Sequence, residues 1–171
     1  KRIFFLIIGF IGAVLLLCIV SGLSVSVPTG ARGVLLRFDR AQSQPLDPGI
    51  HFKLPFVDHV VNMPITIQLS KAEAAAVSND LQQVHTQVQV NYHIDPAKII
   101  DVYSRIGSTI SIIEPTIIAP AVQSIAKTVT GRYTAAQLIT QRPKVTTEMD
   151  DLLKDNLATY GLVVDNLSVT D

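Results

Sequence analysis

Four histidines, one cysteine and scattered carboxylates are the side chains that could do chemistry in this 171-residue chain. His85 and His93 fall on one face of an alternating run. They are eight residues apart, roughly 26 Å along a strand, too far to share one metal within a subunit. His51 and His59 have neither a Cys partner nor a His-Glu-x-x-His frame, so no metal site is expected. Cys18 sits inside an apolar run and is no candidate nucleophile. Asp150 and Asp151 are adjacent on a helix and do not share a face, which rules them out as an acid/base pair. Gly30 and Gly33 lack the Lys-Ser/Thr and the helix that a phosphate loop needs, so a hairpin turn is expected there. No Gly-x-Ser-x-Gly elbow and no dinucleotide fingerprint occurs. No nucleophile with a base and an orienting third group can be assembled from motifs. An enzyme and a cofactor are therefore not expected, and a membrane-anchored hydrolase is the weakest reading.

The chain's strongest signal is its first segment. Ile3, Phe4, Phe5, Leu6, Ile7, Ile8, Phe10, Ile11, Val14, Leu15, Leu16, Leu17, Ile19 and Val20 make an uncharged apolar run. Eighteen helical residues span roughly 27 Å, close to the hydrocarbon thickness of a bilayer. Residues 1–24 are thus expected to be a transmembrane anchor. Lys1 and Arg2 precede it, and no basic residue follows before Arg32. That asymmetry puts the N-terminus in the cytoplasm and the domain on the far side of a single-pass membrane protein. A cleaved signal peptide, with Ser24 and Ser26 near the cut, is the competing reading. The 14 basic and 14 acidic residues cancel, which argues against a nucleic-acid partner.

The remaining chain reads as strands followed by helices. Residues 24–27 and 33–38 read as short strands around a turn, and Pro45 to Gly49 as a second turn. In Ile50 to Val57, periodicity favours a short strand with a core-capping loop. The alternative is a loop that places Phe52, Leu54, Phe56 and Val57 in the interfacial layer of a membrane. Lys71 to Val77 is alanine-rich and ambiguous. Val84, Thr86, Val88, Val90, Tyr92 and Ile94 alternate strictly with His85, Gln87, Gln89, Asn91 and His93, which predicts a long strand with one buried and one uncharged wet face. Asp95-Pro96 predicts a helix start. Residues 110–129 predict a helix disturbed by Pro115 and Pro120, and Thr134 caps a short helix. Residues 142–160 predict a longer one, apolar along Val145, Met149, Leu152, Leu153, Leu157 and Tyr160, stopped by Gly161. Leu162 to Thr170 is a last strand. The order predicts an α+β domain, a curved and mostly antiparallel sheet with helices on one side.

Pro28 to Val34, Leu46 to Pro55, Asp80 to Val84, Tyr92 to Pro96, Gln137 to Arg142 and Tyr160 to Asn166, in that order behind an apolar segment, resemble the SPFH or band-7 superfamily of stomatin, prohibitin, flotillin and HflK/HflC. The latter motifs look most like its prohibitin branch. The resemblance implies a strand-rich, membrane-proximal half over residues 25–95 and a helix-rich half over 96–171. It also implies lipid contact by the first half. Such proteins are non-enzymatic scaffolds that assemble into large rings or cages, alone or with a paralogue, and hold or regulate membrane proteins such as FtsH-type AAA proteases. Family chains continue into a long coiled-coil helix, so truncation before that helix is expected at Asp171. The wet strand face from His85 to His93 and the helix residues Arg142, Glu148, Asp151 and Lys154 are the candidate subunit contacts. The domain would face the periplasm of a bacterium or the intermembrane space of a mitochondrion. A monomeric lipid-binding module is the alternative.

Overall fold

The computed structural model describes residues 22–107 and 109–170. The anchor expected over residues 1–24 therefore lies almost wholly outside the described residues. The chain divides between Met63 and Pro64 into two compact units.

The first unit contains β1 (Ser24–Val27), β2 (Ala31–Arg37), β3 (Arg40–Ala41), β4 (Gly49–Phe52) and β5 (Asp58–Pro64). β1 pairs antiparallel with β4, while β2 lies between β3 and β5. Val27, Val34, Leu36 and Met63 form the small core. Gly33 is required by close approach. Its N–H and C=O bond Leu46 at 3.0 and 2.7 Å, and a Cβ there would come within 2.9 Å of Val27 Cγ2. Phe38, read from sequence as the end of a strand, instead sits in a turn with Asp39, at φ 49° and 58°.

The second unit contains β6 (Gln68–Val77), β7 (Gln83–Ile94) and β8 (Leu162–Thr170), an antiparallel sheet in the order β6-β7-β8. Its helices are α1 (Ile99–Arg105), α2 (Ile110–Ile113), α3 (Ala119–Thr130), α4 (Ala135–Thr140) and α5 (Arg142–Ala158). The ambiguous alanine run is a strand. Ser70, Ala72, Ala74 and Ala76 are buried, and Lys71, Glu73, Ala75 and Val77 are exposed. Alanine is a poor strand former; here its small side chains let α3 lie against β6. Val88, Val90, Tyr92 and Ile94 of β7 are buried as the alternation predicts. α5 packs on β8 through Val145, Met149, Leu153 and Leu157.

Three further details depart from the sequence reading. The strands form three sheets rather than one curved sheet, and β6 and β7 belong to the helical unit. Asp95 and Pro96 make a turn, with Asp95 Oδ1 accepting from the Ala97 N–H at 2.9 Å, so α1 starts only at Ile99. Pro115 does not interrupt the helix. It is accommodated in a π-helical turn, Glu114–Ile118, that joins α2 to α3. Proline lacks an N–H and disturbs the i→i−4 ladder, and a wider turn absorbs that loss. The five-residue spacing puts Ile113 and Ile118 both fully inside. The capping box at Thr134 and Gln137 is present, and Gly161 ends the segment after α5 at φ 77°.

Candidate functional site

Two surfaces carry the residues singled out from sequence. The first is a tip in the strand unit. β1 pairs Ser24 with Phe52 and Ser26 with Ile50, so Ile50 and Phe52 project on one face, two residues apart. The chain then turns, with the Asp58 N–H donating to Leu54 O at 3.0 Å. Phe52 is 88% and Phe56 98% exposed, and Leu54 is also exposed. The core-capping reading of this loop is thereby overturned: these rings cap nothing. Val57 is half-buried, and its carbonyl accepts the Phe38 N–H at 3.1 Å. That bond puts the backbone of Phe38, whose ring is exposed, beside the same loop, a residue the sequence reading missed. Its signal was the Phe38-Asp39 turn after an apolar strand.

The tip is held by Asp58. Its buried carboxylate accepts Arg37 Nε at 2.8 Å, an Arg37 terminal nitrogen at 3.1 Å and the Leu54 N–H at 3.0 Å. These hydrogen bonds, Arg37's first, keep its carboxyl below the usual range. Arg32 pairs with Asp47 on the preceding loop, and His51 Nε2 lies 2.6 Å from the Asp47 carbonyl. Phe56 at φ 69° and Phe38 at φ 49° occupy the left-handed region, costly for bulky residues. Strain of this kind persists only where surrounding bonds impose it. An exposed apolar cluster on a braced loop is suited to meeting another apolar phase.

The second surface is the wet face of the β6-β7-β8 sheet. Register places Lys71 beside Gln89 and Glu73 beside Gln87. His85 is exposed, and Gln87, Gln89, Asn91 and His93 are half-buried. Between β7 and β8 the register slips past Asp165, a bulge that aims its carboxylate at His93 Nδ1, 2.8 Å away. The helix candidates are spread along α5. Arg142 donates to the Val169 carbonyl at 2.7 Å. Glu148 accepts from Arg132 and from the Tyr133 hydroxyl. The Tyr133 bond and the Arg132 charge hold the Glu148 carboxyl below its ordinary value despite desolvation. Lys154 bonds Asp150 at 2.6 Å, which raises its pKa. Asp151 is exposed. The strand and helix candidates therefore do not form one continuous patch; α5 lies against the opposite side of the sheet from the wet face.

A groove of about 390 Å³ beside α4 and α5 is lined by Leu138, Ile139, Val145 and Met149, with Arg142 at its side. It contains no acid/base pair. Among the described residues, no three His, Cys, Asp or Glu side chains are gathered to hold a metal. Among those residues, too, no single helix is long and apolar enough to cross a membrane.

A family model described as SPFH domain / Band 7 family matches residues 25–171. Prohibitin 1 of Mus musculus is 27% identical over 153 residues, which cover 89% of this chain and 55% of that protein. Prohibitin-7, mitochondrial, of Arabidopsis thaliana is 25% identical over 165 residues, 96% of this chain and 58% of the relative. The mitochondrial prohibitin complex protein 1 of Caenorhabditis elegans is 24% identical over 146 residues, 85% and 52% of the two. The chain thus spans about half the length of these relatives.

Proposed function

Because the chain belongs to the SPFH domain / Band 7 family, we propose that it is a membrane-anchored scaffold of prohibitin type. In this reading residues 1–24 cross the bilayer, and the tip at Phe38, Phe52, Leu54 and Phe56 rests in the interfacial layer of the same membrane. The domains assemble side by side into a ring or cage, alone or with a paralogue. The assembly delimits a membrane patch and holds or regulates membrane proteins such as an FtsH-type AAA protease. The domain lies on the far side of the membrane from the N-terminus.

The observation that carries the reading is the exposed apolar tip. Water-exposed phenylalanines at 88% and 98%, on a loop braced by a buried carboxylate, are unfavourable unless an apolar phase receives them. The names of the relatives, one a complex protein and two mitochondrial, support assembly at an organellar membrane. No catalytic constellation competes among the described side chains. The test is the mass of the full chain in mild detergent, by light scattering and negative-stain imaging. A megadalton ring supports the scaffold, and pull-down then asks for a protease partner. A monomer would sink the cage and leave a lipid-binding module.

A further inference from the structure

β6 is an edge strand ten residues long. Ser78 N–H donates to Gln82 O at 2.9 Å, one residue beyond the Val77–Gln83 pair, so Ser78 turns its N–H towards β7. Alternation along an antiparallel ladder then assigns Gln68, Ser70, Ala72, Ala74 and Ala76 to β7. Leu69, Lys71, Glu73, Ala75 and Val77 therefore turn their N–H and C=O groups to the open edge. The side chain of Gln123 agrees with this: from α3 it donates to the Ala75 carbonyl at 3.0 Å.

Those same residues are exposed, and together with exposed Ile67 they read Ile, Leu, Lys, Glu, Ala, Val along the edge. The series is self-complementary about Ala72. We propose that β6 pairs antiparallel with β6 of a second copy, centred on Ala72, to make a continuous six-stranded sheet. This deepens the self-association in the proposed function and rests on it. In that register Lys71 opposes the partner's Glu73, and the exchange occurs twice by symmetry. Leu69 opposes the partner's Ala75, and Ile67 the partner's Val77. Within β6 every such pair is odd with odd, the residues whose backbone groups face outward, so the ladder closes. Centring on residue 71 would oppose Lys71 to itself, and centring on 73 would oppose Glu73 to itself. Like charges directly opposite are unfavourable, so charge fixes the register. The Ala75 carbonyl has a second lone pair for the new strand beside Gln123.

The test uses the full chain in mild detergent, with Cys18→Ser to remove the native thiol. Chains carrying Leu69→Cys and Ala75→Cys are mixed and oxidised. Opposed residues of a hydrogen-bonded pair lie about 5.5 Å apart at Cα, within disulfide reach. The expected result is a cross-linked dimer from the mixture and none from either variant alone, because Leu69 is six residues from its own copy along the ladder. Lys71→Glu and Glu73→Lys are each expected to weaken pairing on the order of tenfold, about 1.4 kcal/mol. Mixing the two restores it. A large assembly with no mixed cross-link overturns the edge pairing and leaves the scaffold standing. A cross-linked dimer without a ring supports the pairing and sinks the cage, and a monomer overturns both.

Discussion

Replacing Phe52 by Ser and Phe56 by Asn should strip a fragment beginning at Gly22 of most of its affinity for lipid vesicles. Asn is chosen for position 56 because it tolerates the left-handed φ of 69° found there. Both rings are almost fully exposed, at 88% and 98%, so nearly all their apolar surface is available for transfer. Full burial of a Phe side chain is worth about 1.5–3 kcal/mol. An interfacial layer dehydrates only part of it, about 1 kcal/mol per ring on the same scale. Two rings then give about 2 kcal/mol, roughly a 30-fold loss of partitioning at 1.4 kcal/mol per decade. Sedimentation with vesicles measures it directly. Ile139→Ser, an exposed apolar residue on α4, is the control and should change binding by less than about twofold, within the few tenths of a kcal/mol of an uninvolved surface site. Because neither ring touches the core and Asn lowers the left-handed cost at position 56, the thermal midpoint of the double variant should be no lower than the parent's. Equal vesicle binding by the double variant and the parent would refute the assignment of the tip.

Three further outcomes follow from the packing. Gly161→Ala puts a side chain at φ 77° with its Cβ 2.8 Å from Val102 Cγ2. Left-handed cost and overpacking together should destabilise by about 3 kcal/mol, read as a lower urea midpoint; an unchanged midpoint would show that the corner relaxes freely. Tyr92→Phe should stabilise by about 1 kcal/mol. The Tyr92 hydroxyl is buried with no hydrogen-bond partner among the described residues, and burial, helped by Glu114, raises its pKa to about 12; a loss of stability would mean the hydroxyl is bonded. Asp58, Asp80 and Glu148 all have lowered pKa values in the fold. Their contribution is complete above the ordinary values of 3.8 and 4.5 and is lost as pH falls through the lower folded values. Urea midpoints should therefore hold from neutral pH down to those ordinary values and decline below them. Asp58→Asn should flatten that decline.

Local chemistry was legible wherever a pattern and a cap agreed. The alternation of Val84 to Ile94, the Thr134 cap and the Gly161 stop each depend on neighbours a few residues away. What was not legible depends on partners distant in sequence. The alanine run of β6 becomes a strand only because β7 pairs with it and α3 needs small residues beneath. Pro115 reads as an interruption because helical periodicity assumes 3.6 residues per turn, and the wider turn changes that spacing. The apolar run from Ile50 to Phe56 has the composition of a core element. Its outward exposure is set by pairing with β1 and by the long-range bonds of Asp58 with Arg37, neither of which leaves a mark in periodicity. Phe38 joins the tip by a single backbone bond to Val57. No spacing rule connects residues nineteen apart in sequence.

The π-helical turn at Glu114–Ile118 also sets the angular phase of everything after it. An α-helical face advances about 100° per residue, so one extra residue in the turn shifts α3 by about that angle from where an unbroken α-helix would put it. Without the shift, Ile113 and the row Val122, Ala126 and Val129 would point to different sides, and they could not all be buried as they are. The turn works as a phase shifter between two half-faces of equal period and different phase. Length is accordingly least rigid at this point of the helix. Losing one residue inside the turn converts it to an ordinary α-helical turn and keeps the downstream face aligned. Losing one in the middle of α3 turns Val129 away from the sheet.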